Sequence, residues 1–199
     1  MKVYLIVVLG CVSFAGFAQQ KDDLSNLQSY QHTVNYADHK AVFQVAASSL
    51  QPQSVNPNVS YYWYSNNKLN VTQGGYSGRL LNGKYSEFYH TIGLRSQGIF
   101  GFGLKTGRWD KWSLAGLLIE QANFKGGILH GDFLSYDTTG KLTEWGRYRR
   151  GNRSGKWTRR IAADSLVSVR YRNGKVVRQK DSFFRKLFRK DKPTVNPLN

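Results

Sequence analysis

Two glutamates are the residues whose type and spacing best suit chemistry. Glu120 and Glu144 lie at equivalent positions of a repeating pattern, in neighbouring units. In a sheet built on that pattern, both carboxylates face the same side, about 10 Å apart. Two carboxylates at such a distance could serve glycoside hydrolysis as general acid and general base. Glutamates on a sheet surface are more often solvated and balanced by Lys or Arg, so we expect no catalytic residue here.

Two further patterns resemble ligand sites but fail on spacing. Residues 151–157 have three residues between the two glycines where a phosphate-binding loop needs four, and Trp157 stands where Ser or Thr would bind magnesium. A single cysteine, Cys11, excludes a disulfide framework and a cysteine-based zinc site. No metal-ligand spacing relates the four histidines, which are His32, His39, His90 and His130. The sequence therefore predicts no catalytic site, no cofactor and no metal.

A repeat with a period of about 24 residues positions these side chains. Four glycines recur at that spacing, and an aromatic residue follows each by two positions. The pairs are Gly83 and Tyr85, Gly107 and Trp109, Gly131 and Phe133, and Gly155 and Trp157. Two further columns at the same period are Leu94, Leu118, Leu142 and Leu166, and Tyr76, Phe100, Phe124 and Tyr148. Recurrence at a fixed period is typical of repeat architectures.

Each unit is expected to form a β-hairpin. Short apolar and aromatic runs alternate with glycines, which permit the positive φ of a tight turn. A lone hairpin is marginally stable, so stacked hairpins must bury their aromatic columns against their neighbours. We therefore predict an all-β fold, an elongated antiparallel sheet of stacked hairpins with one hairpin per repeat, comprising five units over residues 61–178. The last unit is degenerate, as is typical of a capping unit.

The pattern of the middle units resembles a MORN repeat. It reads Phe124-x-x-Gly127-x-x-x-Gly131-x-Phe133-x-x-Tyr136-x-x-x-Gly140-x-Leu142. It is closer to the bacterial variant repeat of YwqK-type toxin–antitoxin antitoxin proteins, and the resemblance covers residues 61–177. The resemblance implies the hairpin fold. It also implies membrane association or protein scaffolding, as for MORN proteins, or a cytoplasmic partner, as for the antitoxins. Standard MORN units carry Gly-x-Gly where this chain carries Gly-x-aromatic.

Positive charge is concentrated towards the C-terminal end. The chain has 29 Lys and Arg against 12 Asp and Glu, a formal charge of +17. Residues 19–146 hold 11 basic and 9 acidic residues, whereas residues 147–192 hold 17 basic and 3 acidic residues. A basic chain suggests nucleic acid, but no helix-turn-helix, zinc or RRM-like pattern is present, so we do not expect that partner. An acidic partner or an anionic surface fits the local charge better.

Residues 1–18 have the features of a secretory signal peptide. A positive start precedes an apolar run of about 16 residues, and Gly16 and Ala18 are small where a signal peptidase needs them. We expect cleavage after Ala18 and export to the periplasm, the outer envelope or the exterior of a Gram-negative-type bacterium. The alternatives are a membrane anchor, for which the run is short, and lipidation of Cys11.

Residues 19–60 do not follow the repeat. Apolar and polar residues alternate, as in a β-strand, on both sides of residues 38–40. The apolar positions are Val34 and Tyr36 before them and Ala41, Phe43 and Val45 after them. We predict one hairpin that caps the first repeat, followed by a connector that contains Pro52 and Pro57.

Residues 179–199 are predicted to hold a short basic amphipathic helix and a disordered tail. Apolar residues form one face of the helix and cations fill the rest: Phe183, Phe184, Leu187 and Phe188, with Arg185, Lys186, Arg189 and Lys190. A helix of about ten residues is marginal alone in water, so it needs a surface. It either covers the open end of the sheet or lies on an anionic membrane.

These patterns favour an exported, non-enzymatic repeat scaffold. It is expected to bind a protein or a cell-envelope component through its sheet and its basic C-terminal region. One alternative is a peripheral membrane protein anchored by the helix at 183–190. Another, less favoured, is an antitoxin-like or glycan-acting protein. The patterns name neither the partner nor the oligomeric state.

Overall fold

A computed structural model describes residues 29–47, 52, 54–91 and 93–177. The described residues form strands and no helix. The strands are β1 Ser29–Asn35, β2 His39–Ala46, β3 Ser60–Ser65, β4 Lys68–Gln73, β5 Arg79–Tyr89, β6 Leu94–Gly101, β7 Leu104–Trp112, β8 Leu118–Lys125, β9 Ile128–Tyr136, β10 Leu142–Arg149, β11 Asn152–Ala162, β12 Ser165–Arg172 and β13 Lys175–Val176. They form one open antiparallel sheet, which confirms the predicted all-β fold. The predicted signal peptide and the predicted helix at 183–190 lie outside the described residues.

The stacked hairpins run in chain order from β5 to β13. From β6 onwards, each strand pairs antiparallel with the one before it. On the other side of β5 lies β2, which pairs with β1, so a hairpin does flank the stack at residues 29–46. The prediction that stacked units begin near Tyr61 differs from the structure. The β3–β4 hairpin leaves the path, pairing with β5 only at Leu80 and Arg79, because β2 already occupies the place beside β5.

Two-residue turns close one edge of the stack, here called the turn edge. Both residues of each turn have positive φ, the type I′ geometry that matches the twist of the flanking strands; the turns are Phe102-Gly103, Gly126-Gly127, Arg150-Gly151 and Asn173-Gly174. The backbone N–H of the second turn residue, a glycine in every case, also donates a hydrogen bond to a backbone carbonyl of the strand that precedes the hairpin. These bonds run from Gly103 to Leu81 (2.6 Å), Gly127 to Lys105 (2.9 Å), Gly151 to Leu129 (2.9 Å) and Gly174 to Arg153 (3.0 Å). Each hairpin is thus tied to its predecessor.

Strand β3 crosses the turn edge and packs on both faces of the sheet. The backbone N–H of Tyr62 donates a hydrogen bond of 2.8 Å to the carbonyl of Gly103. Because side chains alternate along a strand, Tyr62 and Tyr64 join the larger core cluster, around Leu81 and Phe100. The alternate residues Tyr61 and Trp63 point to the other face. There they belong to a smaller core, which is built from Val59, Tyr61, Trp63, Tyr76, Leu80, Leu104 and Ile128.

The core lies mainly in the N-terminal half. The largest fully buried side chains are Phe43, Val45, Leu80 and Leu81. Between residues 110 and 177, all of which the structure describes, only Ala122, Trp157 and Thr158 are buried. The C-terminal half is thus a single layer, stabilised by contacts along the sheet.

The last hairpin leaves most of one strand edge unpaired within the described residues. Strand β13 pairs only with Tyr171 and Arg172 of β12. Leu166 and Val167 are about half exposed near that edge. An open strand edge with apolar side chains can pair with another chain unless something covers it.

Candidate binding surface

One face of the sheet carries a row of aromatic rings, here called the aromatic face. Side chains alternate along each strand, and the register places the inward aromatic residue of every strand beside that of the next. Neighbouring centroids lie within 6.4 Å of each other in two runs, which are Tyr85, Phe100, Trp109 and Phe124, then Phe133, Tyr148, Trp157 and Tyr171. The aromatic columns of the sequence therefore form two runs of contacting rings on one face of the sheet.

The two runs repeat one geometry at a distance of two sequence units. We define the first cluster as Tyr85, Phe100, Lys105 and Trp109, and the second cluster as Phe133, Tyr148, Arg153 and Trp157. The centroids of Phe100 and Trp109 are 4.9 Å apart, and those of Tyr148 and Trp157 are 5.0 Å apart. Tyr85 lies 5.5 Å from Trp109, and Phe133 lies 5.7 Å from Trp157. The structural period is therefore twice the sequence period.

A cation covers each indole ring. The Nζ of Lys105 is 4.3 Å from the ring centroid of Trp109, and the guanidinium carbon of Arg153 is 4.2 Å from that of Trp157. Such cation–π contacts are attractive, more so when partly desolvated. Both tryptophans are only 3 % exposed, so their ring faces are closed to a ligand and their role is to hold the sheet.

Each indole rests on a glycine of the neighbouring strand. A Cβ added at Gly98 would lie 2.3 Å from the indole of Trp109, and one at Gly146 would lie 2.3 Å from that of Trp157. Such a distance is far inside van der Waals contact, so both positions require a residue without a side chain. The midway position is Ala122, which pairs with the smaller ring of Phe133.

Strand β3 covers the first cluster. The ring centroid of Tyr62 is 4.8 Å from that of Phe100, and the Nζ of Lys105 is 5.4 Å from the Tyr62 centroid. As a result Phe100 is only 2 % exposed. Its counterpart Tyr148 is half-buried, and the only described rings against Tyr148 are those of Phe133 and Trp157 in its own cluster.

Each cluster borders a groove. The groove of about 430 Å³ at the first cluster includes Tyr62, Tyr85, Glu87, Arg95, Lys105 and Lys111. The groove of about 240 Å³ at the second cluster, here called the second groove, is lined by Glu144, Arg153, Trp157, Thr158, Arg159, Ile161, Val167, Val169 and Tyr171. The second groove therefore combines a cationic wall with an apolar floor.

Burial changes ionisation differently at the two clusters. Burial lowers the pKa of Lys105, and the nearby charge of Lys111 lowers it further. Burial also raises the pKa of Tyr85, so at the first cluster burial acts against the charged form of both side chains. At the second cluster burial opposes the charge, but hydrogen bonds to Tyr171 and Tyr148 raise the pKa of Arg153. The second groove therefore keeps its cation.

The two glutamates considered for catalysis lie on the aromatic face. Glu120 and Glu144 each pair with Ser135 from opposite sides, so they share a face two strands apart. Glu120 is paired with Lys111 at 2.8 Å. Glu144 is paired with Arg153 at 2.9 Å and with Arg159 at 3.3 Å. Each carboxylate thus has its own cationic partner, and the two do not face each other as a pair.

The opposite side of β8–β13 is cationic, and we call it the basic face. Strand pairs that share it include Lys156 with Arg170 and Arg172 with Lys175. Its cations are Lys125, Arg147, Arg149, Lys156, Arg160, Arg170, Arg172 and Lys175. Asp132 also lies on it, 3.0 Å from Arg147. Most of the cations of this half therefore lie on the side opposite the row of aromatic rings.

Comparison with known proteins adds no relative. No protein-family model matches the chain, and no curated protein matches it. The resemblance to MORN repeats thus remains a prediction from the sequence.

Membrane-spanning helices and metal sites are considered next for the part of the chain that the structure describes. No helix among the described residues is long and apolar enough to cross a membrane. They also contain no group of three or more His, Cys, Asp or Glu placed to hold a metal ion.

The residues that resembled ligand sites serve the fold. Residues 151–157 form a turn and the start of β11. His39 contacts Asp38 at 2.6 Å and Glu87 at 3.0 Å. The ring of His90 lies 2.7 Å from the carbonyl of Tyr36. None of these contacts brings the histidines together. The candidate helix residues, Phe183, Phe184, Arg185, Lys186, Leu187, Phe188, Arg189 and Lys190, lie outside the described residues.

Three important residues were missed by sequence reasoning. Lys105 and Arg153 cover the indoles, and Tyr62 covers Phe100. A signal for the two cations was present, because the column Leu81, Lys105, Leu129 and Arg153 alternates between apolar and basic at the period of the repeat. Tyr62 carried no such signal, since its role depends on how β3 leaves the stack.

Proposed function

We propose that this protein is an exported, non-enzymatic repeat scaffold that binds an anionic protein or cell-envelope component through the C-terminal half of its sheet. The observation that carries the proposal is the basic face. Its eight cations lie on one side of β8–β13. Such a concentration of like charge, in a half of the molecule that buries few side chains, favours attraction of an opposite charge.

The fold supports a binding role over catalysis. The two carboxylates with suitable spacing are each ion-paired, Glu120 to Lys111 and Glu144 to Arg153. The grooves beside them are shallow surface features of an open sheet rather than an enclosed cavity. A single-layered sheet with one aromatic and one basic side offers two large surfaces, as repeat scaffolds do.

A pair of variants with equal net charge tests the basic face. In the full chain, Arg149, Arg170 and Arg172 are changed to Glu in the test variant. The control changes Lys68, Arg79 and Lys84 to Glu, which are exposed in the N-terminal half. The probe is fluorescent poly-L-glutamate at low salt. We expect at least tenfold weaker binding for the test variant and little change for the control. Equal losses, or no binding by the parent chain, would contradict the proposal.

The membrane alternative is decided in the same series. Vesicles containing anionic phosphatidylglycerol are floated with the full chain and with a variant in which Arg185, Lys186, Arg189 and Lys190 are changed to Ser. Flotation that is lost only in this variant, together with no binding to poly-L-glutamate, would replace the scaffold proposal with a peripheral membrane anchor. If flotation is instead lost in the variant with Arg149, Arg170 and Arg172 changed to Glu, the anionic partner is the envelope surface.

A further inference from the structure

We propose that the second cluster binds an extended segment of a partner protein. An aromatic side chain of the segment lies over Tyr148 as β3 lies over Phe100, and its neighbouring carboxylates reach the adjoining second groove. The inference rests on the proposed scaffold function and adds the chemistry of the bound segment. It rests on a contact that the chain makes with itself at the first cluster.

The first cluster shows how an extended strand is held. Strand β3 contributes one ring, that of Tyr62, which packs 4.8 Å from Phe100. It contributes one backbone N–H, which donates to the carbonyl of Gly103 at 2.8 Å. The ammonium of Lys105 lies 5.4 Å from the Tyr62 ring centroid. At the first cluster, β3 is thus held by a ring, a backbone hydrogen bond and a cation, in addition to its pairing with β5 and its packing on the core.

The second cluster offers the same three partners two repeat units later. Tyr148 replaces Phe100, Arg153 replaces Lys105, and the Arg150-Gly151 turn replaces the turn at Gly103. The ring spacings of the two clusters nearly coincide, at 4.9 Å against 5.0 Å and at 5.5 Å against 5.7 Å. Among the described residues, no backbone N–H donates to the carbonyl of Gly151. Strand β3 begins beside Gly127, so its own path ends before this turn.

Charge complementarity defines the rest of the segment. Arg153 and Arg159 line the groove, and Glu144 is the acid that both of them contact. The guanidinium side chain of Arg159 is 61 % exposed. An incoming carboxylate can pair with Arg159 without displacing Glu144 from Arg153. The segment therefore carries acidic residues beside its aromatic ring.

The arrangement favours a peptide over a sugar. Sugar rings stack on open aromatic faces, and the faces of Trp157 are closed, because Arg153 covers one side and the ring is 3 % exposed. What remains open is the half-buried ring of Tyr148 in the second cluster, the backbone carbonyl of Gly151 in the adjoining turn, and the cations of the second groove. These are the groups that an extended peptide with a side-chain ring and carboxylates satisfies.

The experiment uses the full chain and a synthetic peptide as the probe. The peptide has the sequence of residues 57–65, capped at both ends, and a second form carries Ser60→Glu and Ser65→Glu. Binding is followed by the indole N–H signals of the five tryptophans in ¹H–¹⁵N NMR spectra. We expect Trp157 to shift on addition of peptide and Trp109 to stay unchanged. The acidic form should bind several-fold more tightly, and its Tyr62→Ala form at least tenfold more weakly.

Variants of the protein locate the site. Tyr148→Ala should weaken binding of the acidic peptide at least tenfold, and Arg159→Ala should remove most of the preference for the acidic form. Tyr148→Phe, which reproduces the ring found at Phe100, should retain binding and shows that the ring rather than the hydroxyl is needed. The matched control is Ile99→Ala, at an exposed residue beside the covered cluster, which should change nothing.

Defined outcomes overturn the inference. It is wrong if Trp157 does not respond to millimolar peptide, if Trp109 responds equally, or if Tyr148→Phe behaves like Tyr148→Ala. It is also wrong if Trp157 shifts on concentrating the protein alone, because a second copy is then the occupant. A failure here together with retained binding of poly-L-glutamate leaves the basic-face scaffold standing, so the two proposals are separated.

Discussion

The two aromatic clusters have nearly the same ring geometry, yet they differ in their environment. At the first cluster Phe100 is 2 % exposed beneath Tyr62. At the second cluster the equivalent Tyr148 is half-buried. Ring spacing is therefore set within the repeat, by glycines and cations of the units themselves. Burial is set by a strand from outside the repeat, so the same local motif serves as core in one place and as surface in the other.

The largest difference is expected when a methyl group is placed beneath each indole. Gly98→Ala should destabilise the protein by about 3 kcal/mol, and Gly146→Ala by about 1 kcal/mol. Both added Cβ atoms lie 2.3 Å from an indole. Trp109 is held by Lys105 and by Phe100, which β3 covers, whereas Trp157 lines the second groove, which leaves it room to shift. Chemical denaturation of both variants measures the difference. Equal losses would show that the cover on the first cluster does not restrict its indole.

Removal of the covering ring should affect one cluster only. Tyr62→Ala should cost about 2 kcal/mol, since Phe100 loses its aromatic neighbour and becomes exposed to water. We expect faster amide hydrogen exchange in β6 and β7 and unchanged exchange in β10 and β11. Val71→Ala, at an exposed residue of β4, is the matched control for the hairpin. Faster exchange in β10 and β11 as well would mean that the two clusters unfold as one unit.

The smallest expected effect is a difference in pH dependence. The pKa of Lys105 is lowered from 10.5 by burial and by Lys111, so below pH 10.5 the folded state binds fewer protons than the unfolded state. The contribution of Lys105 to stability therefore rises with pH as it loses its proton, and it is complete above 10.5. The raised pKa of Tyr85 acts oppositely above pH 10.

Variants isolate this effect. The difference in stability between the parent chain and Lys105→Met should increase through the alkaline range, and the indole signal of Trp109 should move over the same range. The difference between the parent chain and Arg153→Met should stay flat, and Trp157 should not move, because Arg153 stays charged. Parallel curves for the two variants would contradict the assigned burial of Lys105.

The repeat and its strands could be predicted because their causes are local. Glycines at Gly103, Gly127 and Gly151 mark turns that need positive φ, and the aromatic columns mark one face of each strand. The same locality explains why residues 151–157 belong to a turn rather than a phosphate site. The predicted fold class followed from these short-range preferences alone.

The covering of the first cluster could not be predicted, because its cause is not local. Tyr61 and Tyr64 match the aromatic columns, so they suggested another stacked unit. Whether a hairpin stacks or crosses the turn edge depends on which strand already pairs with β5, and that strand is β2, far away in the chain. The position of Tyr62 depends on the competition between β2 and β3 for the edge of β5, and no sequence pattern within residues 60–73 indicates its outcome.

The glycines beneath the indoles also constrain how proteins of this design change in length during evolution. Gly98 and Gly146 accommodate the two indoles, and Ala122 lies midway beside the smaller ring of Phe133. Loss of the unit that carries Phe133, or duplication of a unit that carries Trp109 or Trp157, would bring two tryptophans into adjacent units. A change of two units keeps every indole beside a smaller ring. We therefore expect sheets of this design to tolerate a change of two hairpins better than a change of one within the run from Trp109 to Trp157.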